Sequence, residues 1–203
     1  MAEGTNTGFE FLVPDESTRS IYVFDEITGA TAKSFIEDLH KIDNADKLMI
    51  EKNKQNLEKY GLTCEDMKMP PIQVYLNSPG GYVYDGFAMH DVVNKRDDLY
   101  CTGVGLVASS ALFFLLGFKR ENRCAHKNTS FLIHQVSSWT AGTVADMEED
   151  VKESKRLNEM IFDVILKNTN ITKTQLEKVY KQKKNWWADA DEALKLGIID
   201  KII

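Results

Sequence analysis

Apolar and polar residues alternate along Ile72-Gln-Val-Tyr-Leu-Asn77, a period of two that predicts a strand, and Ser78-Pro-Gly-Gly81 breaks it sharply. Ser20-Ile-Tyr-Val-Phe-Asp25 reads as an earlier strand. Between the two, Thr31 to Ile42 sets Ala32, Phe35, Ile36 and Leu39 on one helical face. From Lys41 to Met69 the chain turns strongly charged and rich in helix formers, so a helical insertion is expected over 41–71, ended by Pro70-Pro71. After the glycine turn a helix is expected over Tyr84 to Asn94, burying Phe87, Ala88 and Val92, with Met89 and Val93 on its flank. Leu99 to Val104 reads as a strand and a helix starts at about Ser109, so strand, tight turn and helix occur twice. Asn122–Ala125 and Ser130–His134 add two short strands.

The second half is mostly helical. Thr143 to Lys167 carries Val144, Met147, Val151, Leu157, Ile161, Val164 and Ile165 as one apolar stripe of helical period. Thr172-x-x-Gln175 opens a short helix as a capping box, and Asp189-x-x-Glu192 opens another that Gly197 ends. Ile198 to Ile203 is a terminal strand or extended tail. No internal repeat or low-complexity linker divides the chain, so the pattern is that of a single α/β domain.

Composition narrows the class. With 203 residues, 43% of them hydrophobic, the chain can bury a core. Its formal charge of -6, with no concentrated Lys/Arg block, argues against nucleic-acid binding, because a phosphate backbone needs a basic surface. The most apolar run, Gly103 to Phe118, stops at Lys119-Arg120, short of the about 20 residues a bilayer span needs. No basic n-region and apolar h-region open the sequence, and Cys64, Cys101 and Cys124 show no metal-ligand spacing, so a cytoplasmic protein with reduced thiols is expected.

Within the apolar run stand Ser109 and Ser110. A serine nucleophile needs a base, a group that orients the base, and backbone N–H donors for the developing oxyanion. Gly80 and Gly81 follow a strand, where the absence of side chains lets backbone amides approach a ligand. Ser109 and Ser110 lie near a helix start, and His134 closes the strand Ser130-Phe-Leu-Ile-His134. Each feature has a plainer reading: a simple turn, a helix serine bonded back to a carbonyl, a satisfied polar histidine. His40, His90 and His126 sit beside no glycine turn and stay with the plain reading. The surroundings of Ser109 are not Gly-x-Ser-x-Gly, since Val107-Ala108 precede it and Ser110-Ala111 follow.

Four ordered motifs bring these pieces together: Leu76-Asn-Ser-Pro-Gly-Gly81, Gly105-Leu-Val-Ala-Ser109, Leu132-Ile-His-Gln135, and Glu192-Ala193 with Gly197-Ile-Ile-Asp200. In order and in interval they resemble the Clp protease proteolytic subunit family of serine peptidases, over Ile72 to Ile203. The resemblance implies a crotonase-like α/β fold of stacked β-β-α units, one domain over 1–203 with an N-terminal segment over 1–19 and a long protruding handle helix over 143–167. It implies Ser109 as nucleophile, His134 as general base, and the backbone N–H groups of Gly80 and Ser110 as oxyanion hole. Gly81, Tyr82 and Val83 on one side and Gln135 and Val136 on the other would pair with a peptide substrate. No cofactor or metal is implied.

The family's third triad residue, an aspartate, falls here at Asn185. An asparagine carbonyl can accept from His134 and hold its tautomer, but it brings no negative charge to stabilise the imidazolium, so slow or conditional activity is expected. Asp189 and Asp191 lie nearby as substitutes, although Asp189 also reads as a helix N-cap. Val136 stands where the family has proline, Ser110-Ala111 where it has Met-Gly, and the 41–69 stretch is foreign to it. The implied activity is that of a serine endopeptidase working through an acyl-enzyme inside a homo-oligomeric chamber on peptide or unfolded protein. An AAA+ unfoldase is one implied partner. Phage capsid proteins are another, because Ile21 to Leu39 is similar to Clp-related peptidases of phage head-maturation modules. Two other readings stand beside it: a non-catalytic or weakly active subunit, and an acyl-CoA enzyme of the crotonase superfamily.

Overall fold

The computed structural model of the chain describes residues 12–59, 69–94, 96–182 and 184–203. At its centre β2 (Ile72–Ser78) and β3 (Leu99–Ala108) pair in parallel, flanked by β1 (Ser20–Val23) and β4 (Arg123–Ala125), with β7 (Lys201–Ile202) beyond β4. The alternation in β2 acts as its period predicts: Ile72, Val74, Leu76 and Ser78 are buried.

Helix α1 (Gly29–Glu58) begins at Thr28, whose side chain accepts from the Thr31 N–H, and buries Ala32, Phe35 and Leu39 as expected. The charged stretch expected as a helical insertion over 41–71 is helical as far as Glu58 and continuous with the preceding helix, extending α1 by four further turns because no glycine or proline interrupts it. Two arginines hold that extension to the sheet. Arg19 grips Asp46, and Arg96 grips Asp43 at 2.7 and 2.8 Å together with Asp98. The end of the expected insertion, including Cys64, and most of the N-terminal segment lie outside the described residues.

Helix α2 (Val83–Val93) buries Gly86, Met89, His90 and Val93 most fully; of the expected Phe87, Ala88 and Val92, Phe87 and Val92 are half-buried against the core and Ala88 is exposed. Its inward face is set by Gly86, against which the Phe113 ring packs so closely that a Cβ would lie 2.7 Å from it. That ring belongs to α3 (Ser110–Leu115), all six residues of which are buried. The apolar run therefore divides into the end of a strand and a core helix. Among the described residues no helix is long and apolar enough to cross a membrane.

Strand β3 runs four residues past its expected end because it changes partners. Its first half pairs with β4, Cys101 to Gly103 against Arg123 to Ala125. Its second half pairs with β5 (Ser130–Ile133), Leu106 to Ala108 against Ser130 to Leu132. On the other side β5 pairs antiparallel with β6 (Trp186–Ala188), a three-residue strand too short for its alternation to be read in the sequence. Helix α4 (Val144–Asn168) opens with a Thr143/Asp146 capping box, and its stripe divides: Leu157, Ile161 and Ile165 are buried, but Val144 is 74%, Met147 41% and Val151 50% exposed. The capping boxes of α5 (Lys173–Lys181) and the Asp189 cap of α6 (Ala190–Lys195) form as expected.

Candidate active site

Ser109 stands at the turn from β3 into α3 with φ 55° and ψ -124°. It is the one non-glycine residue with positive φ among the described residues. Holding a residue with a Cβ there costs about 1–3 kcal/mol, and such strain collects at functional sites. The Ser109 N–H donates to the Leu132 carbonyl at 3.0 Å, which fastens the turn to β5. A strand–serine–helix elbow thus forms without the Gly-x-Ser-x-Gly signature, since the small residues that give it room come from elsewhere in the chain.

One of them is Gly80, at φ 90°. A Cβ on it would lie 2.5 Å from the Ala108 carbonyl oxygen, 2.6 Å from Ser109 Cβ and 2.9 Å from the Ser110 nitrogen. The peptide units of Gly80 and Ser110, the two expected oxyanion donors, are therefore side by side next to Ser109. The Gly80 N–H donates to Ser78 Oγ at 3.1 Å, a short turn closed by the hydroxyl of a fully buried serine. The Ser110 hydroxyl is also fully buried, and its Oγ has no hydrogen-bond partner.

His134 follows directly on β5, and it lines one cavity of about 50 Å³ with Ser109, Gly81, Val83, Gln135 and Val136. Leu112, Phe113, Leu132 and Ile161 make its apolar wall. Tyr82, between the lining residues Gly81 and Val83, does not itself line the cavity: its N–H donates to Ile27 O at 2.8 Å and its ring is 65% exposed. Ile27 also donates to Gly80 O at 2.8 Å, so one edge of the Gly80–Tyr82 segment is paired and the other faces the cleft. On the opposite rail Gln135 Nε2 donates to Tyr180 O at 2.9 Å, and the Val136 N–H donates to Asn158 Oδ1 at 3.0 Å. Helix α4 reaches the first rail too, where Glu153 accepts from the Tyr84 hydroxyl. The Arg156 guanidinium and then that hydroxyl hold the Glu153 carboxyl down to about 2.

Asn185 is not drawn into this cavity. It lines a neighbouring groove with Gln175, Lys178, Val179 and Trp186, although the Ile133–Trp186 pair means that one further step of antiparallel register sets His134 opposite Asn185. Among the described residues no hydrogen bond joins Ser109 Oγ, His134 and Asn185. Asp189 caps α6 through the Glu192 N–H, and Asp191 pairs with Lys127, so both are engaged elsewhere. His40, His90 and His126 line no part of the Ser109 cavity, and His90 is buried on α2 beside Asp91. Ser78 and Asn158 were missed in the sequence. Ser78-x-Gly80 carries a turn signature, and a valine in place of proline at 136 adds an N–H that needs an acceptor. No group of three or more His, Cys, Asp or Glu among the described residues could hold a metal ion.

The chain is similar to known proteins. Residues 60–203 match the family model described as Clp protease. The ATP-dependent Clp protease proteolytic subunit 3 of Rhizobium etli is 34% identical over 134 residues, 65% of this chain and 68% of that protein. The ATP-dependent Clp protease proteolytic subunit 2 of Treponema pallidum is 34% identical over 135 residues, 66% of each chain. The match thus spans about two thirds of the length of these relatives. Among solved structures, an asparagine-to-aspartate mutant of ClpP1 from Listeria monocytogenes is similar with a TM-score of 0.70 at 25% identity, over 93% of this chain and 92% of that one.

Proposed function

The chain belongs to the Clp protease family, and from that premise we propose that it is a serine endopeptidase acting on peptide or unfolded protein. The observation that carries the proposal is the strained Ser109 in one cavity with His134, with Gly80 packed against it. In the proposed reaction His134 takes the Ser109 Oγ proton as Oγ attacks the scissile carbonyl, and the N–H groups of Gly80 and Ser110 receive the oxyanion. The amine leaves with the proton from His134, and water, deprotonated by the same imidazole, cleaves the acyl-enzyme. To accept the oxyanion, the Gly80 N–H turns from Ser78 Oγ. The peptide lies between Gly81–Val83 and Gln135–Val136, where the Val136 N–H is already engaged by Asn158.

A fluorophosphonate probe tests the assignment: it labels Ser109 in the assembled protein and fails on Ser109→Ala. No labelling of the wild-type assembly refutes it. A weakly active or non-catalytic subunit is the second reading, favoured by the absence, among the described residues, of a hydrogen bond joining His134 to Ser109 Oγ or Asn185. Asn185→Asp tells the two apart, because a carboxylate there raises peptide hydrolysis by about tenfold or more in a weakened enzyme and leaves a scaffold unchanged. The exposed row Val144, Met147 and Val151 on α4 supports a homo-oligomer. Stimulation by an ATP-driven unfoldase, or cleavage of phage capsid protein, distinguishes the two partner classes.

A further inference from the structure

Asn77 is a polar side chain of the Leu76–Gly81 motif to which the chemistry above gives no task. It stands where the β2–β3 ladder breaks. Leu76 pairs with Gly103 and Ser78 with Val107, so β2 advances two residues while β3 advances four. The surplus is a bulge around Gly105, at φ 68°, and Asn77 fills it. Asn77 Oδ1 accepts from the Leu106 N–H at 3.1 Å, taking the place of the strand carbonyl that the broken ladder no longer presents. A Cβ on Gly105 would lie 3.1 Å from the same Oδ1, so the carboxamide and the bulge are in contact.

The bulge decides where the nucleophile goes. Before it, β3 is bonded to β4; after it, β3 is bonded to β5, the strand that leads into His134. A bulge re-aims the strand that follows it, and Ser109 comes three residues after Leu106. We propose that Asn77 is a positioning residue for Ser109, fixing through the Leu106 N–H the turn of β3 that brings the nucleophile beside His134 and the Gly80 amide. The proposal rests on the reading of Ser109 as nucleophile. Asn77 acts through the backbone and touches no reacting atom.

The test uses the full-length assembled protein, with Asn77→Ala and Asn77→Asp, the second keeping an oxygen acceptor for the Leu106 N–H. Two quantities are read: amide hydrogen exchange of the 104–109 segment, and the rate of Ser109 labelling by fluorophosphonate. Displacing a reacting group by an ångström costs about 10²-fold, so Asn77→Ala is expected to label about 10²-fold more slowly and to exchange faster over 104–109, with Asn77→Asp close to wild type in both. Unchanged exchange in Asn77→Ala overturns the proposal, and so does faster exchange with an unchanged labelling rate, which leaves Asn77 a structural residue only. If Asn77→Ala does not fold, Asn77→Asp decides: a folded Asp variant that labels as slowly as about 10²-fold below wild type overturns the role of the acceptor. A wild-type assembly that takes no label refutes the nucleophile itself, a result separate from any difference between variants, and the positioning role falls with it.

Discussion

Gly80→Ala puts the proposed oxyanion site to its most direct test. The new Cβ would meet backbone on two sides, 2.5 Å from the Ala108 carbonyl oxygen and 2.9 Å from the Ser110 nitrogen, with Ser109 Cβ at 2.6 Å. None of these is the free end of a flexible side chain, so relief must come from moving the Gly80 turn away from the elbow. The tightest contact falls about 0.9 Å short of ordinary packing at 3.4 Å, and a shift of about that size is enough to lose a catalytic alignment. The residue would also have to hold φ 90°, which a side chain resists. Losing one oxyanion donor costs about 10²–10³-fold in kcat, or about 2.7–4 kcal/mol. The expected outcome is therefore a fall of that size in kcat for a fluorogenic peptide, with KM little changed, because the lost interaction is made in the transition state. Light scattering and circular dichroism on the same preparation check that the variant is assembled and folded. An assembled Gly80→Ala enzyme with kcat within about threefold of wild type would refute the placing of the oxyanion beside Gly80.

Four further outcomes can be measured. Ser110→Ala removes a buried hydroxyl whose Oγ has no partner, a group that costs about 1–3 kcal/mol to bury. Its melting temperature should rise by about 2–4 °C at equal protein concentration, and a fall would show that the hydroxyl is satisfied in solution. Val151→Glu sets a charge in the exposed apolar row of α4 and should shift sedimentation toward smaller species; an assembly of wild-type size argues against that row as the interface. The cavity beside Ser109 has apolar walls and about 50 Å³, room for about four water-sized groups. A peptide library should therefore show cleavage after leucine or methionine ahead of tryptophan or aspartate, and a preference for the latter two would exclude this cavity as the side-chain pocket. Hydrogen bonds from Arg96 hold the Asp98 carboxyl below its ordinary value. A depressed carboxyl contributes stability that is present above the unfolded value of about 3.9 and is lost as pH falls through the folded one. The melting temperature should thus drop steeply below about pH 4 in wild type and less so in Asp98→Asn, and equal slopes would remove Asp98 from the account.

Elements with a long periodic pattern were legible in the sequence, and those fixed by a neighbour were not. Strand β2 alternates cleanly, α4 has a stripe of helical period, and α5 and α6 carry their own capping residues, so their existence and starts followed from local chemistry. The inward face of α2 did not follow, because Gly86 is inward on account of Phe113 and Ser110, which lie 27 and 24 residues further along the chain. The expected single stripe of α4 divides for the opposite reason: Leu157, Ile161 and Ile165 have the core to face, while Val144, Met147 and Val151 reach past it. Strand β6 is held by pairing with β5 alone, and three residues cannot announce a period.

The candidate site divides along the same line. The Ser109 elbow is a backbone construction: glycine at 80, where a side chain would collide, glycine at 105 with positive φ, and a fixed interval to Ser109. Glycines and intervals are visible in a sequence, so this half could be read from four short motifs. The partner of the His134 imidazole depends instead on one step of antiparallel register beyond the last β5–β6 pair and on which way a single carboxamide points. Neither is written in the local sequence, and the side chain of Asn185 lines the groove toward α5. The proposed assembly would bear on the same site. Helix α4 bonds to both sides of the proposed cleft, through Glu153 to Tyr84 in the first turn of α2 and through Asn158 to Val136, while its apolar row is exposed. A second copy docked on that row would bear on the helix that bonds to Val136, two residues beyond His134. On this account peptide hydrolysis per chain should rise with the assembled fraction across a dilution series, and a constant value per chain would show that α4 does not act on the site.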